Sequence, residues 1–128
     1  MISVILPIYN EELGLSSFVV LLQEQLEKYG QDYEVIFIND GSTDNSLSVI
    51  RQLCLTNSSF NYVNLSRNFG HQIAVSAGID YAKGDQVVLI DSDGQDPPEL
   101  ISEMLDKMKD GFDVVYAQRI KRKDESFL

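Results

Sequence analysis

Short apolar runs alternate with helical patterns along this chain, and that alternation limits the fold more than any other feature. The runs are rich in Val and Ile, and they predict strands at residues 3–8, 33–38, 60–65, 86–90 and 113–117. Between them, apolar side chains recur every three or four residues, which predicts four helices. Strands that alternate with helices imply right-handed crossovers and a mostly parallel sheet covered on both faces. The sequence therefore predicts an α/β domain.

Several residues are typical of element ends or close packing. Pro7 has no N–H for a strand ladder, so we expect it to mark the end of the first strand. Gly30 is predicted to end a first helix over about 12–29, and Ser42 or Thr43 to cap the second. Gly78 lies on a small-residue face of the third helix, predicted over about 72–82. That face predicts a close approach of the helix to the sheet.

Composition excludes several classes of protein and site. The chain has 128 residues, 44% of them hydrophobic, which suits one domain with a real core. Ten basic against twenty acidic residues leave a net charge of −10, which argues against a nucleic-acid-binding protein. Cys54 is the single cysteine, which excludes an internal disulfide and a Cys-rich zinc site, and we expect it to be a small buried hydrophobe. With no long apolar run and no signal peptide after Met1, we expect a soluble, intracellular type of domain.

An acidic motif, DSDGQDPPE at residues 91–99, directly follows the predicted strand 86–90. Asp91 and Asp93 project to the same side, because strand side chains alternate in direction. Their carboxylates, with the amide of Gln95, suit Mg2+ or Mn2+ that also binds a diphosphate. The same residue types dominate ordinary turns, so on spacing alone a plain turn is an equally open interpretation.

Polar residues follow two other predicted strands. Since the carboxyl ends of parallel strands share one edge of a sheet, these groups can converge on one ligand. Asp40, at the end of the second strand, can accept a hydrogen bond from a nucleobase N–H. Neither a dinucleotide-binding glycine pattern nor a P-loop occurs. With these two phosphate-binding motifs excluded, the polar residues at the sheet edge suit a nucleotide that is held through a metal ion. The residues concerned are Tyr9, Asn10 and Glu11; Asn39 and Asp40; and Asp91, Ser92, Asp93 and Gln95.

Three stretches together resemble the signatures of family 2 glycosyltransferases: VILPIYNE at 4–11, NDGSTD at 39–44, and the acidic motif at 91–99. The run LSRNFGH at 65–71 and the segment QDPPE are similar to the polyprenyl-phosphate branch, which includes dolichyl-phosphate mannose synthase and undecaprenyl-phosphate glucosyltransferases. The resemblance implies the GT-A fold, a three-layer α/β sandwich with a mostly parallel sheet, as in nucleotide-diphospho-sugar transferases. It further implies that residues 1–128 are the N-terminal, donor-binding part of a catalytic domain truncated at its C-terminus.

The resemblance also implies a role for particular residues. One departure from the branch is Gly94, where a leucine is common. The acceptor half of the family is absent from the chain, so a general base and other catalytic residues are not assigned. The expected nucleotide-sugar contacts are Pro7, Tyr9, Glu11, Ile38, Asp40, Asp91, Ser92, Asp93 and Arg119; the expected metal ligands are Asp91, Asp93 and Gln95; and the acceptor-side residues are Arg67 and His71.

Each of these residues also has a structural interpretation. Asp40 can start a helix, Glu11 can complement a helix dipole, and Tyr9 can pack in the core. Arg67 and His71 can be a turn arginine and a surface histidine. The basic cluster at 121–123 is either a solvated face or a contact for lipid phosphate.

The expected function is transfer of a hexose from a UDP- or GDP-linked sugar to polyprenyl phosphate, by metal-assisted, inverting displacement. Mg2+ or Mn2+ is the expected cofactor, and the expected setting is the cytoplasm or, for a longer parent protein, the cytoplasmic face of a membrane. The sequence leaves open whether the protein forms a homo-oligomer. The alternatives are a glycosyltransferase with a saccharide acceptor in cell-surface polysaccharide synthesis, a sugar-phosphate nucleotidyltransferase, and a non-catalytic nucleotide-binding module.

Overall fold

The computed structural model describes residues 1–91, 98–110 and 114–116. All five predicted strands and four helices are present within these residues. In chain order they are β1 (Ile2–Ile8), α1 (Leu15–Tyr29), β2 (Tyr33–Asn39), α2 (Ser46–Thr56), β3 (Phe60–Asn64), α3 (His71–Tyr81), β4 (Gln86–Leu89), α4 (Pro98–Lys109) and β5 (Val114–Tyr116).

The five strands form one parallel sheet in the order β3-β2-β1-β4-β5. The chain builds outward from β1 to β2 and β3, and then returns through α3 to place β4 on the other side of β1. The strand order therefore reverses between β1 and β4. In open parallel sheets such a reversal leaves a crevice at the carboxyl ends of the two strands, where ligands bind.

Helices cover both faces of the sheet, as predicted. The larger apolar cluster joins one face to α1, α2 and α4, through buried side chains such as Leu22, Ile50 and Met104. The smaller cluster joins the other face to α3 through Ala74. A Cβ atom at Gly78 would collide with the Cγ2 methyl of Ile5, which confirms the predicted close approach of α3 to the sheet.

The predicted boundaries hold at one helix end and fail at another. Gly30 ends α1 in the left-handed conformation (φ 85°), and its N–H donates to the Leu26 carbonyl. The prediction that Ser42 or Thr43 caps α2 is wrong, because α2 begins at Ser46. Both residues instead bond to the loop that follows β1. The physical reason is that residues 42–45 are held against the loop after β1 by bonds to Asn10 and Glu12, so the helix begins only after them.

Pro7 lies inside β1 rather than at its exit, one residue before the strand ends. Its neighbours show why the sheet tolerates it. The Ile5 carbonyl accepts from Ile90 on the β4 side, so Pro7, two residues on, faces the same side. The ladder to β4 ends at the pair Ile5–Leu89. The missing N–H of Pro7 therefore falls where β4 no longer pairs.

Cys54 packs half-buried against the larger apolar cluster. Burial raises the pKa of its thiol to about 11, so the thiol is neutral at pH 7. This agrees with the expected role of a small hydrophobe. Among the helices in the described ranges, none combines the length and apolar character that crossing a membrane requires.

Candidate functional site

A cleft of about 530 Å3 opens at the carboxyl ends of β1, β2 and β4. It therefore lies at the reversal of strand order, where a parallel sheet is expected to bind a ligand. Six of the predicted site residues are brought together here. Its lining comprises Pro7, Ile8, Tyr9, Glu11, Asp40, Asn68, Gly70, His71 and Asp91.

Other predicted site residues do not line this cleft. The Ile38 side chain is fully buried beneath α3, among Ile5 and Ala74, so it supports the sheet and does not face the cleft. Arg67 stacks over the ring of Phe69 at 4.0 Å and donates to the Asn68 carbonyl at 3.4 Å. That geometry is the turn arginine of the structural interpretation. Ser92, Asp93, Gln95 and Arg119, together with the cluster at 121–123, lie outside the described residues.

Asn10 joins the loop after β1 to the loop after β2. Its Oδ1 accepts from the backbone N–H groups of Thr43 at 2.8 Å and Asp44 at 3.3 Å. Its own N–H donates to the Ser42 hydroxyl at 3.0 Å. Asn10 has a φ of 53°, a left-handed conformation that Asn tolerates better than most residues. The two loops are thus held as one unit.

A second group of bonds extends this junction toward α2. The Glu11 N–H donates to the Ser46 hydroxyl at 2.8 Å, and the Glu12 N–H donates to Asp44 Oδ2 at 3.3 Å. In return, the Asn45 N–H donates to Glu12 Oε1 at 3.1 Å. Partial burial alone would raise the pKa of Asp44, but its bonds from Ser46 and from backbone N–H groups outweigh this and hold it below its ordinary value. Glu11, for which a helix-dipole role was one interpretation, therefore helps Glu12 to join the two loops.

Asp40 is a buried carboxylate, with only 4% of its surface exposed. Its Oδ1 accepts from the Phe69 N–H at 2.7 Å, and its Oδ2 accepts from the Gly70 N–H at 3.1 Å and the Asn68 side-chain amide at 3.3 Å. The Asn68 amide also donates to the Asp40 carbonyl at 3.1 Å. Asp40 thus binds the turn before α3. It does not start a helix, because α2 begins six residues later.

His71, the first residue of α3, lies beside Asp91 in the lining of the cleft. Its Nδ1 lies 4.0 Å from Asp91 Oδ1, and both side chains are partly exposed, at 45% and 40%. The position at the start of α3 explains the placement of His71, and the end of β4 explains that of Asp91. An imidazole beside a carboxylate can orient it or, when protonated, offset its charge.

Carboxylate-bearing residues line the cleft, and carboxylate oxygens are the ligands that a hard divalent cation prefers. Glu11, Asp40 and Asp91 contribute carboxylates to the lining, and Asp91 opens directly onto the cleft. Over residues 1–91, 98–110 and 114–116, three acidic, His or Cys side chains do not come together closely enough to hold a metal. The two remaining predicted ligands, Asp93 and Gln95, fall outside that part of the chain.

The sequence placed Asn10 among the polar residues that can converge on a ligand, but it gave Asn10 no specific contact and gave Asn68 and Gly70 no site role. The signal for the last two was present, since they lie in the run LSRNFGH, directly before a helix. Gly70 has a φ of 103°, which favours glycine, and its carbonyl accepts the first bond of α3 from Ala74. Asn10 was visible only as a polar residue at a strand end, because its partners come from a distant loop.

Similar proteins were found among curated sequences. The chain is 49% identical over 125 residues to the uncharacterized glycosyltransferase YkcC of Bacillus subtilis, covering 98% of this chain and 39% of that protein. It is 39% identical to the undecaprenyl-phosphate 4-deoxy-4-formamido-L-arabinose transferase of Aeromonas hydrophila, and 38% identical to the bactoprenol glucosyl transferase of Shigella phage SfV. In both cases 99% of this chain is covered, with 39% and 41% of the respective relatives. The chain therefore spans about two-fifths of the length of these curated relatives.

Solved structures share the fold. S. aureus TarS residues 1–349 in complex with UDP-GlcNAc matches with a TM-score of 0.59 and 26% identity, over 80% of this chain and 31% of that one. The mannosyltransferase PcManGT of Pyrobaculum calidifontis, in complex with GDP-Man and Mn2+, matches with a TM-score of 0.53 and 29% identity, over 72% and 27%. The predicted α/β, GT-A fold is confirmed. The family profile described as glycosyl transferase family 2 matches residues 3–128, and the chain accordingly belongs to that family.

Proposed function

We propose that this chain is the donor-binding part of an enzyme that transfers a hexose from a UDP- or GDP-linked sugar to polyprenyl phosphate. The observation that carries the proposal is the cleft at the strand-order reversal, which gathers Tyr9, Asp40 and Asp91. Relatives at 38–39% identity are named for undecaprenyl phosphate and bactoprenol, which supports a lipid-phosphate acceptor.

The nucleoside is proposed to lie against β1 and β2. Tyr9 is 46% exposed at the cleft, so its ring is available to stack on a base. Asp40 offers a carboxylate to a base N–H, and Pro7 and Glu11 border the same space. Ile38 contributes from beneath, by packing against α3 and supporting the strand end that carries Asp40.

The donor diphosphate is proposed to lie near Asp91. Its negative charge would be repelled by the carboxylates of Glu11, Asp40 and Asp91, which calls for a cation between them. We propose that Asp91, Asp93 and Gln95 hold Mg2+ or Mn2+ there, with Ser92 and Arg119 nearby. A bound divalent ion would neutralise charge on the departing nucleoside diphosphate. The mannosyltransferase complex with GDP-Man and Mn2+ supports this donor and metal.

The acceptor phosphate is already an anion at neutral pH, so it can attack the sugar without a strong general base. Direct displacement of the nucleotide would invert the anomeric carbon. We propose His71 as an acceptor-side residue, because it lines the cleft and lies next to Asp91. A polyprenyl chain stays in lipid whereas a nucleotide sugar is water-soluble, so we propose that transfer occurs at the cytoplasmic face of a membrane.

The test is calorimetric binding of UDP, GDP and their sugars to the chain, with Mn2+ and with EDTA. Asp91→Asn should weaken metal-dependent binding about tenfold or more, since a charge-assisted contact contributes about 1.5–3 kcal/mol. Asp85→Asn is the matched control, because Asp85 flanks the other end of β4 and its side chain is 84% exposed. Absence of nucleotide binding with Mn2+ present, or equal weakening by both variants, would contradict the proposal.

A further inference from the structure

We propose that Asp40 is a positioning residue: its carboxylate holds the turn at residues 68–70 and, through that turn, places His71 beside Asp91. This deepens the proposed donor site and rests on it. A carboxylate at the end of β2 would then shape the cleft that it lines, in addition to any contact with a base.

The hydrogen bonds leave little of Asp40 for a ligand. An ionised carboxylate offers about four acceptor positions, two on each oxygen. Oδ2 accepts from Gly70 and Asn68, and Oδ1 accepts from Phe69. One position, on Oδ1, remains for a base N–H. Most of the bonding capacity of this buried group therefore serves the turn.

Backbone packing tightens the same junction. Gly41, directly after Asp40, has a φ of 70°, and a Cβ atom there would collide with the backbone of Arg67 and Asn68. The loops after β2 and β3 are therefore in direct backbone contact. Any side chain at position 41 would push the turn away from Asp40.

The turn connects directly to the cleft residue His71. Gly70 donates to Asp40 through its N–H, and its carbonyl accepts from Ala74 in the first turn of α3. His71 is the next residue, with its Nδ1 4.0 Å from Asp91 Oδ1. A single peptide unit thus separates the bond to Asp40 from the residue that faces Asp91. A displaced turn would displace His71.

Three variants separate positioning from direct base contact. Asp40→Asn replaces one acceptor oxygen by a donor, so at least one of the three bonds is lost. Gly41→Ala displaces the turn while leaving the Asp40 carboxylate intact. Glu34→Gln is the matched control, because Glu34 is also a buried carboxylate, 6% exposed. It accepts from the Ser3 hydroxyl and the Lys83 N–H, both at 2.6 Å, at the amino ends of the strands.

Amide hydrogen exchange and NMR report the conformation of the turn in the absence of nucleotide. In Asp40→Asn and Gly41→Ala, the amides of Phe69 and Gly70 should exchange about tenfold faster or more, the equivalent of losing one charge-assisted bond. His71 is the single histidine of the chain, so its ring signals are unambiguous. Those signals should shift in both variants and in Asp91→Asn, but not in Glu34→Gln.

Nucleotide affinity, measured well below the melting temperature, then tests the consequence. Both turn variants should bind UDP or GDP with Mn2+ about tenfold more weakly or worse, while Glu34→Gln lowers the melting temperature and leaves affinity unchanged. Weaker nucleotide binding by Asp40→Asn, with unchanged amide exchange at Phe69 and Gly70, would overturn the positioning role and leave direct contact with the base alone. Unchanged His71 signals in Gly41→Ala would also overturn it. If the wild-type chain binds no nucleotide, the proposed function fails, and the exchange and histidine signals still decide the role of Asp40.

Discussion

The Oδ1 atom of Asn10 accepts a hydrogen bond from the backbone N–H of Thr43 at 2.8 Å, across 33 residues of sequence. Asn10 keeps this bond in a left-handed backbone conformation. A single side chain thereby connects the loop after β1 to the loop after β2. Both loops border the cleft, so the geometry of the cleft depends on a residue that does not line it.

Replacing Asn10 should separate the cost of the hydrogen bonds from that of the backbone conformation. Asn10→Gly loses the bonds to Thr43 and Asp44, which should lower the free energy of unfolding by about 1 kcal/mol. Asn10→Ala should lose a further 1–2 kcal/mol or so, because alanine disfavours positive φ. Urea unfolding of both variants checks this order. An alanine variant as stable as the glycine variant would show that the conformation carries no strain.

Tyr9 should contribute to nucleotide affinity through its ring. Tyr9→Ala is expected to weaken binding by about 1–3 kcal/mol, the usual contribution of a base stacked on an aromatic side chain. Tyr9→Phe should retain most of that affinity. Tyr81→Ala removes a similarly exposed tyrosine from the far end of α3 and should leave calorimetric binding unchanged. A loss in Tyr9→Phe equal to that in Tyr9→Ala would assign the contribution to the hydroxyl instead.

Asp44 should make the stability of the chain sensitive to acid. Since the pKa of its carboxyl is lower in the folded chain than the ordinary 3.8, the unfolded chain binds more protons in the range just below 3.8. Its contribution to stability is therefore present above pH 3.8 and is lost as the pH falls through the lowered value. Asp44→Asn should be less stable at neutral pH and lose stability less steeply below pH 3.8. Parallel stability curves for the two proteins, from urea unfolding at several pH values, would contradict this.

Gly78 should be intolerant of any side chain. Gly78→Ala places a methyl group against Ile5, which is fully buried in β1, and should lower the free energy of unfolding by about 1–3 kcal/mol. Gly14→Ala is the matched control, because a Cβ atom there meets nothing within 4 Å and its φ of −111° suits alanine. Thermal unfolding of the two variants compares them directly. Equal melting temperatures would mean that α3 can move off the sheet without cost.

Local pattern predicted the elements well where tertiary contacts agree with it. The apolar period predicted β2 and α3 within about one residue at each end, because burial of one face sets both elements. It failed at the starts of α1 and α2. The first helix was expected to begin at about residue 12, and Ser42 or Thr43 was expected to cap α2. The hydrogen-bonding groups of Glu11, Glu12 and Ser42 instead join the two loops, which delays both helices.

In the candidate site, too, some features follow from the local sequence and others follow only from tertiary contacts. The sequence alone determined that polar groups reach one edge of a parallel sheet, because burial and alternation are local properties. These groups belong to Tyr9, Asp40 and Asp91, each of which follows a buried strand. The tertiary structure decided that β4 pairs with β1 and not with β3, which opens the cleft between Tyr9 and Asp91. It also decided that the Asp40 carboxylate binds the turn at 68–70. Both outcomes depend on groups far apart in the chain, whose pairing follows from how the strands dock and not from any local pattern.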